Sequence, residues 1–193
     1  MLAVTGYRSQ IVAELRGLLP TWEIVERIPD AGLAPAAERY LLCAGVLRPK
    51  RLSEQTSAEI NESLYVNLIR PIELCEDILS HNEAARIVVI GSESGYTGSF
   101  DEAYAAAKAG LHKYIETRKL KPGQQLVGIA PSIIADCGMT MRRLDQENLE
   151  ARRLSHPKRR FLKAVEVAKL VHFVLYEDAG YLSGQVIRLN GGV

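Results

Sequence analysis

Neither sign of charge dominates this sequence: 24 Lys and Arg stand against 23 Asp and Glu over 193 residues, a formal net charge of +1. That excludes the broad basic face of a nucleic-acid-binding protein, because phosphate contacts need a cationic excess gathered on one surface. Cysteine is scarce. Cys43, Cys75 and Cys137 are widely spaced, with no CxxC pair and no His at a ligand interval, so neither a disulfide framework nor a metal site is expected and the thiols read as reduced. No uncharged apolar run approaches the roughly 18 residues of a spanning helix, so no membrane partner is expected. There is no repeat, low-complexity tract or linker. The opening Met1-Leu-Ala-Val-Thr-Gly6 has no basic and apolar leader pattern, and the cytoplasm is the expected compartment. With 47% hydrophobic residues, the expectation is one globular domain over residues 1–193.

Short apolar runs alternate with helical periodicity. Leu2-Ala3-Val4 reads as a strand, and Thr5-Gly6 as a tight turn. Ile11, Leu15, Leu18 and Leu19 then mark a helix stopped by Pro20. Trp22 to Ile28 and Arg39 to Gly45 read as the second and third strands, the latter of the kind buried on both faces of a parallel sheet. Ser57 to Leu79 predicts a long helix in which Pro71 imposes a kink or break. Ala85–Ile90, Gln125–Ala130 and Gly184–Asn190 read as further strands. Ala103 to Lys119 and Ala164 to Leu175 read as helices, and the charged stretch Leu144 to Leu154 as a mobile segment. The alternation predicts an α/β fold with a doubly wound parallel sheet of about six strands.

The chemistry-bearing residues sit in the second half. Tyr104 and Lys108 are four apart on one predicted helix, so their side chains emerge on one face. A cation beside a phenol favours the phenolate. Bringing a pKa near 10 down to about 7 takes roughly 4 kcal/mol of differential stabilisation, part of which a buried Lys could supply. Tyr104 would then act as general acid or base near neutral pH. Ser92 ends the Val88-Val-Ile-Gly-Ser92 strand, where open α/β sheets place their ligands, and its hydroxyl can hold a substrate oxygen against Tyr104.

These segments, with Val66-Asn67-Leu68, Tyr104-Ala-Ala-Ala-Lys108-Ala-Gly, Ile129-Ala-Pro131 and Gly184-Gln-Val-Ile-Arg-Leu-Asn-Gly-Gly192, resemble in order and spacing the second half of short-chain dehydrogenases/reductases. The resemblance covers about residues 40–193 and implies a Rossmann-like domain. It also implies a catalytic set of Asn67, Ser92, Tyr104 and Lys108. In that set Lys108 also contacts the nicotinamide ribose, and Asn67 anchors a water that relays protons to Lys108. It implies cofactor contacts at Gly6, Ala44, Gly45, Pro131 and Ile134 besides Tyr104 and Lys108.

The first half departs from the family pattern. The family opens with Thr-Gly-x-x-x-Gly-x-Gly, whereas Thr5-Gly6-Tyr7-Arg8-Ser9-Gln10-Ile11-Val12 keeps only the first glycine. A helix N-terminus with the Ser9 and Gln10 amides and Arg8 is the remaining candidate phosphate site. Between Arg27 and Tyr40 the family's helix, acidic-ended strand and helix are absent, so the sheet should lack its edge strand. Glu26 would favour NAD and Arg27 with Arg8 would favour NADP, and NADP is the preferred expectation. Ser132 replaces a usual Gly, and Thr140 is a possible cofactor contact.

Two functions follow as expectations. One is an NAD(P)-dependent short-chain dehydrogenase/reductase, an oxidoreductase moving hydride between the nicotinamide and a small-molecule carbonyl or alcohol substrate. The other is a non-catalytic scaffold of the same fold, serving as ligand sensor or assembly partner with impaired dinucleotide binding. Met141 to Arg160 corresponds to the family's substrate lid and holds seven basic residues, which could steer an anionic substrate or simply be solvated. The resemblance implies a homodimer or homotetramer. The four histidines, His81, His112, His156 and His172, are scattered and receive no role.

Overall fold

The computed structural model describes residues 1–143 and 145–193. Six parallel strands form one sheet in the order β2-β1-β3-β4-β5-β6: β1 Leu2–Val4, β2 Val25–Arg27, β3 Arg39–Leu42, β4 Arg86–Ile90, β5 Gln125–Pro131 and β6 Val186–Leu189. The chain runs outward from β1 to β2, then returns to place β3 on the other side of β1. That reversal opens a crevice at the carboxyl ends of β1 and β3, where such sheets receive ligands. Because β2 is an edge, the expected shortened sheet is present. Beside it Trp22 and Ile24 lie exposed before a strand of only three residues.

Side-chain alternation builds two cores from one sheet. Leu2, Val4, Leu41, Val88, Ile90, Val127 and Ile129 face helices α1 (Gln10–Leu18) and α8 (Ala164–Tyr176). Ala3, Tyr40, Leu42, Ile87, Val89 and Leu126 face the opposite side. There helices α3 (Arg70–His81) and α5 (Glu102–Thr117) supply Leu74, Ile78, Leu111 and Ile115. Each fully buried Leu or Ile contributes about 1.5–3 kcal/mol, so the period of two along the strands holds both layers in place.

The long helix expected over Ser57 to Leu79 is broken where Pro71 demands. Helix α2 (Ser57–Leu64) passes through a π turn, Tyr65–Ile69, into α3, with Pro71 in the first turn of α3. The Arg70 N–H bonds the Tyr65 carbonyl five residues back. Pro71 has no N–H, so in either register a carbonyl of this turn, Val66 or Asn67, lacks a helical donor. A short α4 (Ser94–Thr97) follows β4, and α6 (Gly138–Met141) and α7 (Gln146–Ser155) follow β5. The charged stretch expected to be mobile is therefore helical from Gln146 onward, with Leu149 buried. Its first residue, Leu144, lies outside the described residues.

Candidate active site

The parallel strands bring four loops to one edge of the sheet. Thr5, at the end of β1, accepts hydrogen bonds on Oγ1 from the N–H groups of Cys43 (2.9 Å) and Ala44 (3.1 Å) beyond β3. Gly6 lies at φ +62°, and a Cβ there would stand 2.7 Å from the Cys43 carbonyl carbon, so close packing of two turns requires this glycine. Ser9 caps α1 by accepting the Val12 N–H at 3.2 Å, and its hydroxyl lies 3.3 Å from Cys43 Sγ. The N–H groups of Gln10 and Ile11 are then the first-turn donors that capping leaves over, beside an exposed Arg8. The Gln10 side chain turns away to Glu14 at 2.8 Å. Val12 is buried in the core.

Across the crevice, Asp101 caps α5. Fully buried, its carboxylate accepts the Tyr104 N–H at 3.1 Å, Gln55 Nε2 at 2.9 Å and the Arg48 N–H at 2.9 Å. This anchors the helix turn that presents Tyr104 and Lys108, which are 6% and 3% exposed. Lys108 donates from Nζ to the Ile90 carbonyl at 2.8 Å, and its Nζ lies 5.8 Å from the centre of the Tyr104 ring. Burial pulls the Lys108 pKa down to about 8, against an opposing pull from Cys43. Burial also raises the Tyr104 phenol. The Ser92 hydroxyl opposes that rise, and Asp101 and Cys43 add to it. The expected lowering of the phenol by Lys108 is thus reversed among the protein's own groups: taking a phenolate out of water costs more than its neighbours return.

Ser92 sits just past β4, and its Oγ accepts the Ser94 N–H at 3.1 Å, which leaves the hydroxyl proton free to donate outward. Glu93 beside it is buried. It pairs with Arg188 of β6 and approaches Asn190 Nδ2 at 3.4 Å, tying the loop to the last strand. The structure therefore gathers Ser92, Tyr104 and Lys108 at one place. Asn67 behaves otherwise: its Oδ1 accepts the Val46 N–H (3.1 Å), and its Nδ2 donates to the carbonyls of Val46 (2.8 Å) and Ser63 (2.9 Å). Its side chain holds the Val46 loop against the helix and is not available to anchor a water.

Gly45 packs on Asn67, while Pro131 closes β5 and Ile134 bridges Leu162. Arg27 ends β2, bonded to Asp30 at 2.6 Å, a partner that spacing alone did not single out. Three of the seven lid cations are paired, Arg143 with Asp145 and Arg153 with Glu150 inside the segment, and Arg160 with Glu166 of α8 beyond it. Between α6 and α7 lies a cavity of about 500 Å³ whose walls include Thr140, Met141, Leu149 and Phe161. His112, given no role from sequence, is buried against the Ser92 loop. Its spacing, four residues beyond Lys108 on the same helix face, was the available signal. Among the described residues there is no cluster that would hold a metal, and no helix is long and apolar enough to cross a membrane.

The enoyl-(acyl carrier protein) reductase family model matches residues 39–193. A 3-oxoacyl-[acyl-carrier-protein] reductase FabG of Buchnera aphidicola is 32% identical over 157 residues, 78% of this chain and 63% of that one. The MabA reductase of Mycobacterium avium is 35% identical over 158 residues, 78% and 61% respectively. The chain thus spans less than two thirds of the length of these curated relatives. Among solved structures, a short-chain dehydrogenase/reductase from Brucella melitensis superposes with TM-score 0.84 at 22% identity, covering 99% of this chain and 95% of that one. A 3-oxoacyl (acyl-carrier-protein) reductase from Agrobacterium tumefaciens with NADP bound gives 0.83 at 20%, covering 100% and 93%.

Proposed function

The chain belongs to the short-chain dehydrogenase/reductase family, and from that premise we propose that it is a nicotinamide-dependent oxidoreductase, with a carbonyl compound as substrate and NADP as preferred cofactor. The observation that carries this reading is the buried pairing of Tyr104 and Lys108 one helical turn apart, with Ser92 alongside. The curated relatives reduce 3-oxoacyl carriers by name, which makes a 3-oxoacyl thioester the first substrate to test.

The nicotinamide, when bound, supplies hydride to the carbonyl carbon. Ser92 donates its hydroxyl proton as a hydrogen bond to the carbonyl oxygen, stabilising the charge that develops there. Tyr104 transfers its proton to that oxygen. With its pKa raised by burial the phenol is neutral at working pH and holds the proton to be given, but it is a weaker acid than a free phenol, so the transfer needs the phenolate to be stabilised as it forms. Lys108, with a pKa near 8, is mostly charged at neutral pH and stabilises the phenolate left behind. Asn67 would serve the relay through its backbone, its carbonyl being one of the two in the π turn ahead of Pro71 that can be left without a helical donor.

The fit to a dinucleotide rests on the tight Gly6 turn, the α1 N-terminus at Ser9 and Gln10, and Arg8. Ala44, Gly45, Pro131 and Ile134 would border the nucleoside. Arg27 would meet a 2′-phosphate after exchanging its Asp30 partner. Val12, buried where the family has its third glycine, favours the second reading, a non-catalytic scaffold with weakened dinucleotide binding. We extend the first reading to a homodimer or homotetramer.

The test is Tyr104→Phe, assayed with NADPH and a 3-oxoacyl thioester, beside calorimetric titration of NADPH and NADH into wild type and Arg27→Ala. Turnover should fall by about 10²–10⁴-fold in Tyr104→Phe with NADPH binding retained. Arg27→Ala should lose its preference for NADPH over NADH. Retained turnover would overturn the mechanism, and failure to bind either nucleotide would establish the scaffold reading.

A further inference from the structure

His112 takes no part in the steps above, yet it is 3% exposed and fills the hollow of the Ser92 loop. Its Nε2 accepts the Ser92 N–H at 3.3 Å. A Cβ on Gly91 would lie 2.3 Å from that nitrogen, and one on Gly95 would lie 2.6 Å from Cε1, so the ring is clasped between glycines on either side of Ser92. The Tyr96 ring packs beside it, with ring centres 4.8 Å apart. Because Nε2 accepts, the neutral ring carries its proton on Nδ1, and that buried atom has no partner among the described residues. A buried donor without a partner is costly. A hydrocarbon side chain would fill the same space without that cost, so what imidazole adds here is an acceptor for the Ser92 amide.

We infer that His112 is a positioning residue: its neutral ring, held between Gly91 and Gly95 and accepting the Ser92 N–H, sets the turn that aims the Ser92 hydroxyl at the substrate oxygen. This deepens the oxidoreductase reading and rests on the role given there to Ser92. The charged groups around the ring are Lys108 and Glu116 of α5 and Glu93 of the Ser92 loop, with Arg188 of β6 stacked on the far partner, Tyr96. Burial first and Lys108 second hold the imidazole pKa down to about 4, against Glu116 and Glu93. The acceptor lone pair is therefore present throughout the neutral range and is lost as pH falls through about 4.

Two variants separate shape from acceptor. His112→Gln can place a carbonyl oxygen near the position of Nε2, whereas His112→Phe keeps a flat ring and removes the acceptor. With the thioester and NADPH, kcat should fall about tenfold in His112→Phe, the equivalent of one lost hydrogen bond, and stay within about threefold of wild type in His112→Gln. KM for the thioester and Kd for NADPH should hardly move in either. Independently of turnover, long-range 1H–15N spectra at pH 7 should read the Nδ1-protonated ring, and the Ser92 amide resonance should move far more in His112→Phe than in His112→Gln. An Nε2-protonated ring, wild-type kcat in His112→Phe, or equal losses in the two variants would overturn the inference. If wild type reduces no thioester, the functional reading fails alone, and the tautomer and the Ser92 resonance decide this inference.

Discussion

Replacing Lys108 by Met should make the protein more stable while removing its activity. The ammonium is almost wholly buried, and burial brings its pKa to about 8 from an ordinary 10.5. At pH 7 the folded state therefore carries a charge at a cost of about 3 kcal/mol, at 1.36 kcal/mol per pH unit of difference. Methionine, of similar length and uncharged, removes that cost but loses the bond to the Ile90 carbonyl, about 1 kcal/mol. The net gain is about 2 kcal/mol, a rise of about 4–8 °C in Tm for a chain of this size. The sign with pH is distinctive. Between about pH 8 and 10.5 the unfolded chain binds the Lys108 proton and the folded chain does not, so this group's contribution to wild-type stability improves as pH rises. The advantage of Lys108→Met should accordingly shrink to near zero by about pH 10. Urea unfolding of both proteins at pH 7 and pH 10 measures it, and taking the difference cancels the other titrating groups. A variant no more stable than wild type at pH 7, or an advantage that persists at pH 10, would refute the reasoning.

Gly91→Ala should destabilise the protein by about 1–3 kcal/mol, since the added methyl collides with His112 Nε2. Combining it with His112→Ala should recover part of that loss. Additive effects in urea unfolding would show that the two groups do not meet. For assembly, light scattering at micromolar concentration should give at least twice the monomer mass, and a monomer would count against the proposed homo-oligomer.

Much of the framework was legible from local pattern. Apolar runs of three to seven residues separated by helical periodicity identified all six strands. Pro71 placed the break in the long helix to within a few residues, although its form, a π turn, depended on how the flanking helices pack. The boundaries of β2 were overextended because Trp22 and Ile24 are apolar yet exposed, lying outside the short edge strand. Tyr104, Lys108 and Ser92 could be singled out as candidates because two lie on one helix face and the third at a strand end, both properties of sequence spacing.

Other features could not be read this way, for identifiable reasons. The direction of the Tyr104 shift depends first on burial and then on Ser92, Asp101 and Cys43 around the phenol, none of which spacing measures. Asn67 was named for the right helix, but its amide is committed to Val46, twenty-one residues away, and Arg27 bonds an Asp30 that looked like a turn residue. The seven basic side chains of the lid appeared as a field, whereas several are neutralised within or beside it.

The sequence by itself determined the parallel α/β architecture, the shortened edge and the residue types at the crevice, because the periods of strand and helix and the lengths between elements are local properties of the chain. The tertiary structure decided which of those groups are buried, which are already bonded, and that His112 meets Ser92 across twenty residues between two glycines. Desolvation and hydrogen-bond satisfaction depend on what the folded chain brings together, and those two quantities set both the protonation state of each group and the direction in which it can act.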